Sequence, residues 1–401
     1  MNNTTKKDYF LSQPHQPFFA FGSVSAILVM LIFFLNYKGI LTLELDTLNF
    51  HIYSLVFIVF TNMFTGFLFT TFPRFCQYKV ISKDYYTNLF YLNIASSLLF
   101  LVGSFSSYIL LTIGIFGLFL SHIFIIKKLY EIYKNGNTIN KKDAFWILNA
   151  HFLGLVGHLL FLFIAVNHYL NIDIYLLKTA TNISFYLYLI FLAFSVAQRM
   201  IPFFSHSFVT KDKDFVTIIF TLFVLKTIFS TFYIKEVEIV IDILLASYMF
   251  IEFKRWELKP LNSPPILWVL HLSLFWLPTA FLLSAISLMG ELILDTSFYY
   301  LNIHLLALGF LTTILIGFGT RVTLGHSGQP PQADKLTKNL FLFTQVIVIL
   351  RALYSFDIAF GWGANFLFDI TFTAWLALFL AWSFIYGKVL IFGSKINSSL
   401  Y

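Results

Sequence analysis

From Leu305 to Phe318 the chain reads LLALGFLTTILIGF, without one charged side chain, and stretches like it recur from end to end. An apolar run of about 20 residues is long enough to cross the hydrocarbon core of a bilayer as a helix. Water does not reach that core. Each backbone N–H and C=O must therefore be bonded inside the protein, which leaves only helices or closed barrels. Barrel strands are short and alternate apolar with polar residues. These runs are longer and uniformly apolar, so the expected fold is all-α, a polytopic membrane protein. Composition agrees. Of 401 residues, 59% are hydrophobic and only 11% charged, where a soluble domain carries about 25%.

Twelve spans are expected, at about 18–37, 50–72, 88–106, 108–127, 144–167, 174–201, 215–232, 236–253, 266–290, 298–319, 339–355 and 362–392. The longest connections, near 128–143 and 320–338, are too short to fold alone. Residues 1–401 therefore read as a single integral membrane domain. The first run, from Phe18, is a full span with no small-residue cleavage site behind it, so no cleaved leader is expected.

Lysine and arginine in the connections set the orientation. Lys6, Lys7, Arg74, Lys79, Lys83, Lys127, Lys128, Lys134, Lys141 and Lys142 fall on one side with Lys211, Lys213, Lys254, Arg255 and Lys259. Arg321, Lys335, Lys338, Lys388 and Lys395 join them, making 20 of the 26 basic residues. The opposite connections hold mainly Lys38 and Lys235, with acids such as Asp173, Glu291, Asp295 and Asp357. The alternation puts both termini in the cytoplasm and accounts for the net charge of +7. The basic residues are scattered over short loops, so no nucleic acid is expected as a partner. The single cysteine, Cys76, excludes an internal disulfide and any multi-cysteine metal site.

Ten histidines remain, and the topology gives each a depth. His51 and His304 fall near the periplasmic surface. His15, His206, His271 and His326 fall near the cytoplasmic one. Ionisable residues at membrane depth are costly and usually face a cavity, a partner or a cofactor. Imidazoles from two helices suit haem iron, and a convergent set suits copper. Against this, a membrane histidine is more often a hydrogen-bonded interior residue. His122, His151, His158 and His168 are read that way, His151 and His158 lying seven apart beside Gly154 and Gly157 on a close-packed face. Arg199 and Arg321 each end a span before a break, in QRMIPFFSHS and TRVTLGHSGQPP. Either they anchor the topology, or they pair with haem propionates across one polar cavity. Arg351 and Lys226 sit inside spans with no partner legible in the sequence.

Several segments carry a resemblance. LWVLHLSLFWLPTAFLLSAIS (267–287), HLLALGFLTTILIGFGTRVTLGHSGQP (304–330), RMIPFF (199–204), PHQPFFAFG (14–22) and GFLFTTFPRF (66–75) are similar to the NnrS family. The resemblance implies a twelve-helix bacterial inner-membrane protein with haem and copper, linked to nitric oxide metabolism, nitrosative stress and denitrification. It places His15, His51, His271, His304, Arg321 and His326 on family motif positions. One departure stands out. Where the family's second helix usually opens with two histidines one residue apart and then an acid, this chain has His51, Tyr53 and Ser54.

Two functions compete, and a third, a haem–copper oxidase or nitric oxide reductase subunit, is set aside because the sequence has no adjacent His-His pair. One is a haem protein, with copper as a second cofactor, that handles nitric oxide or metal–nitrosyl species. The other is a secondary transporter of a metal or small anion, with few interior acids to couple it. The topology is open to a direct check. Reporters inserted within 128–143 or 320–338 are expected to read cytoplasmic and one within 38–49 periplasmic; the opposite pattern would overturn the assignment.

Overall fold

The apolar runs form helices. The structure is a computed structural model that describes residues 9–170, 176–207, 209–260 and 262–393. Lys6, Lys7, Asp173 and Lys395 of the orientation argument lie outside those residues. The described residues contain no β-strand. They form twelve helical rods: α1 (His15–Tyr37), α2 (Thr47–Phe75), α3 (Lys83–Ser106), α4 (Tyr108–Asn135), α5 (Lys142–Leu170), α6 (Leu177–Phe204), α7 (Phe215–Thr231), α8 (Lys235–Arg255), α9 (Pro265–Leu294), α10 (Leu301–His326), α11 (Lys335–Phe360) and α12 (Phe366–Phe392). Ten are long and apolar enough to cross a membrane. The others are α7, with 17 residues, and α8, which carries Glu236, Glu238, Asp242, Glu252, Lys254 and Arg255.

Local chemistry sets the ends. Asp46 accepts the Asn49 N–H at 2.7 Å and starts α2, and Asp334 caps α11 by accepting the Thr337 N–H at 2.7 Å. At the far end of α10, the Gln329 N–H donates to Leu324 O at 3.1 Å, and Gly328 sits at φ +74°. That is the left-handed stop that glycine makes cheaply. The rod therefore runs seven residues past the expected limit at 319. Arg321, Gly325 and His326 lie on helix, not in a loop.

Three rods depart from α geometry. α2, α6 and α10 hold π-helical segments at Ser54–Phe60, Ile183–Ile190 and Leu305–Thr312. Threonines bond the widened turns. The Thr61 hydroxyl donates to Val56 O and the Thr312 hydroxyl to Ala307 O, both at 2.8 Å. α2 and α6 are buried along most of their length. Outer rods show apolar side chains instead, such as Phe116, Phe152, Leu159 and, at 82% exposure, Phe384. A face of this kind suits lipid, not water.

The chain divides into two compact units. Among the described residues, the first comprises those up to Leu189 with Val322–Gln329 and 379–393; the second comprises those of Ile190–Arg321 and Pro330–Leu378. In the first, α3 and α4 form a hairpin whose contact is made of small residues. A Cβ at Gly103 would strike the backbone of Leu111, and one at Gly114 the backbone of Phe100. In lipid there is little hydrophobic drive between helices, so close van der Waals approach holds such pairs. Gly114→Val should therefore force the hairpin apart. We expect a loss of about 1–3 kcal/mol, read as a lower thermal midpoint in detergent; an unchanged midpoint would refute the close-contact account.

Candidate functional site

In the first unit, α2, α4, α5 and α6 bring a polar cluster into an apolar interior. α5 contributes His151 and His158, two turns apart and on one face. Between them, Gly154 leaves room that a Cβ would take from Tyr188 of α6, whose ring carbon Cγ would lie 2.5 Å away. Tyr188 therefore reaches both His151 and His122 of α4, with ring centroids at 5.3 and 5.2 Å. His122 lies 5.6 Å from His151 and 5.7 Å from His158 by the same measure. The three imidazoles are at most 1% exposed.

Hydrogen bonds are sparse there. Tyr53 Oη meets His158 Nε2 at 2.9 Å, and His151 Nδ1 meets His122 Nε2 at 3.4 Å. The Thr61 proton already goes to Val56 O, so Tyr188 donates to Thr61 Oγ1 at 3.0 Å. His122 Nδ1, His151 Nε2 and His158 Nδ1 are buried without a hydrogen bond. Phe57 stacks on His158 at 3.8 Å, and Phe119 closes its other side at 5.7 Å. Tyr53, Phe57 and Thr61 share one face of α2, and the π turn between Ser54 and Phe60 sets that face. π turns of this kind often mark functional sites.

The same unit holds a second pair. His15, at the start of α1, faces His326 at the end of α10, with centroids 4.9 Å apart. His15 is buried and its Nδ1 has no hydrogen bond. Gly66 of α2 permits the approach, because a Cβ there would lie 3.3 Å from His15 Cα and 2.8 Å from Phe18 Cβ. His51, also in this unit, lies half-buried with its ring 4.3 Å from that of Phe33.

The other expected residues belong to the second unit. His271 has both nitrogens bonded, Nε2 to Ser205 Oγ at 2.6 Å and Nδ1 to Lys259 O at 3.1 Å. His304 Nδ1 lies 3.1 Å from the Arg351 guanidinium, which also donates to Ser355 Oγ and Tyr299 O. His206 is exposed, at a left-handed φ of 51°. Arg321 stacks its guanidinium on Phe204 at 3.9 Å, at the end of the helix that carries a half-buried Arg199.

Of the expected histidines, the structure thus pairs His15 with His326. It also assembles His122, His151 and His158, which the sequence reading treats as packing residues. That packing is real, since Gly154 and Gly157 both lie against α6. In the sequence this cluster shows as two histidines seven apart around a glycine, with a third on the preceding helix. Tyr53 Oη shares a hydrogen bond with His158 Nε2. Tyr53→Phe should strand a buried nitrogen and cost about 1–3 kcal/mol, seen as a lower melting midpoint; no change would mean that the bond carries nothing.

These observations meet one comparison with known proteins. The family model described as NnrS protein matches residues 9–392, a stretch that contains every histidine of both clusters. No individual curated protein matches the chain. With helices long and apolar enough to span a bilayer and a family match over nearly its whole length, this chain belongs to the NnrS family, membrane proteins of the nitric oxide response.

Proposed function

We propose that the chain is an inner-membrane haem protein, with copper as a second metal, that binds nitric oxide or metal–nitrosyl species and protects against nitrosative stress. The observation that carries this reading is the set of buried imidazole nitrogens without hydrogen bonds: His122 Nδ1, His151 Nε2, His158 Nδ1 and His15 Nδ1. A neutral imidazole with a free lone pair is the donor that both haem iron and copper take. The donor chemistry fits, although among the described residues no three His, Cys, Asp or Glu side chains already converge on one point. Loading therefore includes rotation of these rings.

On this reading His122, His151 and His158 hold copper, and His15 with His326 serve haem iron. His271 is less suited, because both of its nitrogens are already engaged. A bound metal supplies an open coordination position and one-electron exchange. The chain supplies the rest. Phe57, Phe119 and Phe161 wall the three-histidine cluster with apolar surface. Such a wall excludes water and admits a small apolar gas from the bilayer. A proton on His158 Nε2 that Tyr53 Oη accepts leaves the Nδ1 lone pair of that ring for a metal. Arg321 and Arg199, both in the second unit, carry guanidiniums of the kind that pair with carboxylates.

Purified protein, examined oxidised and reduced, with and without nitric oxide, and assayed for iron and copper, tests the proposal. A haem band that moves with nitric oxide is expected, together with copper. His122→Ala and His158→Ala should lower copper about 10-fold or more and leave haem in place, and His15→Ala should do the reverse. A colourless, metal-free protein would sink the proposal and favour transport. Tyr53→His should raise copper content, because it restores an imidazole beside His158.

A further inference from the structure

The second unit buries an ion cluster that the histidine chemistry does not use. Lys226 of α7 is fully buried, and its ammonium lies 2.6 Å from Glu238 Oε1 and 2.7 Å from Asp242 Oδ2, both on α8. Glu238 is 4% exposed and Asp242 0%. Ser284 of α9 donates to the same Asp242 Oδ2 at 2.6 Å. The other oxygen, Asp242 Oδ1, is buried and accepts no hydrogen bond. The nearest other charged groups on these helices are Glu236, which is exposed, and Lys235 and Glu291, which pair with each other at 2.9 Å.

Counting charge decides what this cluster holds. Two carboxylates against one ammonium leave one excess negative charge in a site without water contact. Burying an uncompensated charge is expensive, and breaking a buried pair costs about 3–5 kcal/mol for that reason. Neutrality is reached by adding one cation. Lys226 already fills the space between the two carboxylates, so a proton is the cation with room to bind. Three features select its position. Asp242 Oδ2 accepts from both Lys226 and Ser284, Glu238 Oε1 is bonded to Lys226, and Asp242 Oδ1 is buried without a hydrogen bond on the more deeply buried of the two acids.

We propose that Lys226, Glu238 and Asp242 form a proton-binding site that carries one exchangeable proton on Asp242 Oδ1. Uptake takes the proton from bulk water, forms the Oδ1–H bond and brings the cluster from one excess negative charge to neutral. Release restores that charge beside Lys226, so the α7–α8–α9 contact differs between the two states. Ionisable residues at this depth commonly mark proton pathways. The inference does not depend on haem or copper binding and stands if that reading fails.

Infrared difference spectroscopy on the full-length protein tests it, because the C=O stretch of a protonated carboxyl lies clear of the amide bands. Wild-type protein near neutral pH should show one such band that shifts in heavy water and disappears on alkaline titration. D242N and E238Q should both abolish it, because each leaves one carboxylate opposite Lys226 and no need for a proton. S284A should keep the band and shift it, because it removes a donor to Asp242. Both single-acid variants keep a balanced pair and should fold, with helical content checked by circular dichroism. If only one of them folds, that variant alone reads the site. Three results would overturn the proposal: no band sensitive to either acid, a band that E238Q leaves in place, or a band that E238Q removes and D242N leaves, which would put the proton on Glu238.

Discussion

An apolar surrounding that cannot satisfy a polar group governs this structure at every scale. At the backbone it forces continuous helices, since a helix bonds its own N–H and C=O groups. It also explains why the irregular turns are confined to buried rods. The π segments of α2, α6 and α10 loosen carbonyls, and the Thr61 and Thr312 hydroxyls take up two of them. A helix facing lipid has no such neighbour to spare.

The same constraint shapes the side chains. Lys226 would be prohibitive alone in this interior and is met by Glu238 and Asp242. Arg351 finds Ser355 Oγ and Tyr299 O. The three clustered histidines each keep a buried nitrogen without a hydrogen bond, as do several hydroxyls and Asp242 Oδ1, but they alone gather three such imidazoles in one described cluster. Local rules broken without evident compensation tend to mark functional sites. The contrast between the satisfied cations and the under-satisfied imidazoles is the main reason to place chemistry at the latter.

Tyr53 links the sequence to that site. It lies two residues after His51 and meets His158 Nε2 at 2.9 Å. A phenol keeps a hydrogen bond and moves a proton but is a weak ligand for copper. The three-histidine cluster on α4 and α5 is therefore better furnished with imidazole than the start of α2, where His51 lies against Phe33.

The apolar runs by themselves determined an all-helical membrane protein, because run length and bilayer thickness leave no other fold. Asp46, Asp334 and Gly328 set rod ends by local chemistry, where the apolar runs alone put those ends at 50, 339 and 319. The motif residues of the NnrS resemblance were also readable. The extension of α10 through His326 was not, because Gly325 reads as a breaker until the turn at Gly328 is seen to end the helix. Nor were the π turns, which shift side chains without changing composition. Only tertiary structure joined His15 to His326, gathered His122, His151 and His158, and set Glu238 and Asp242 against Lys226. Those meetings depend on how rods from distant parts of the chain are rotated about their axes. That rotation is set by packing, such as Tyr188 against Gly154, and hydropathy does not encode it.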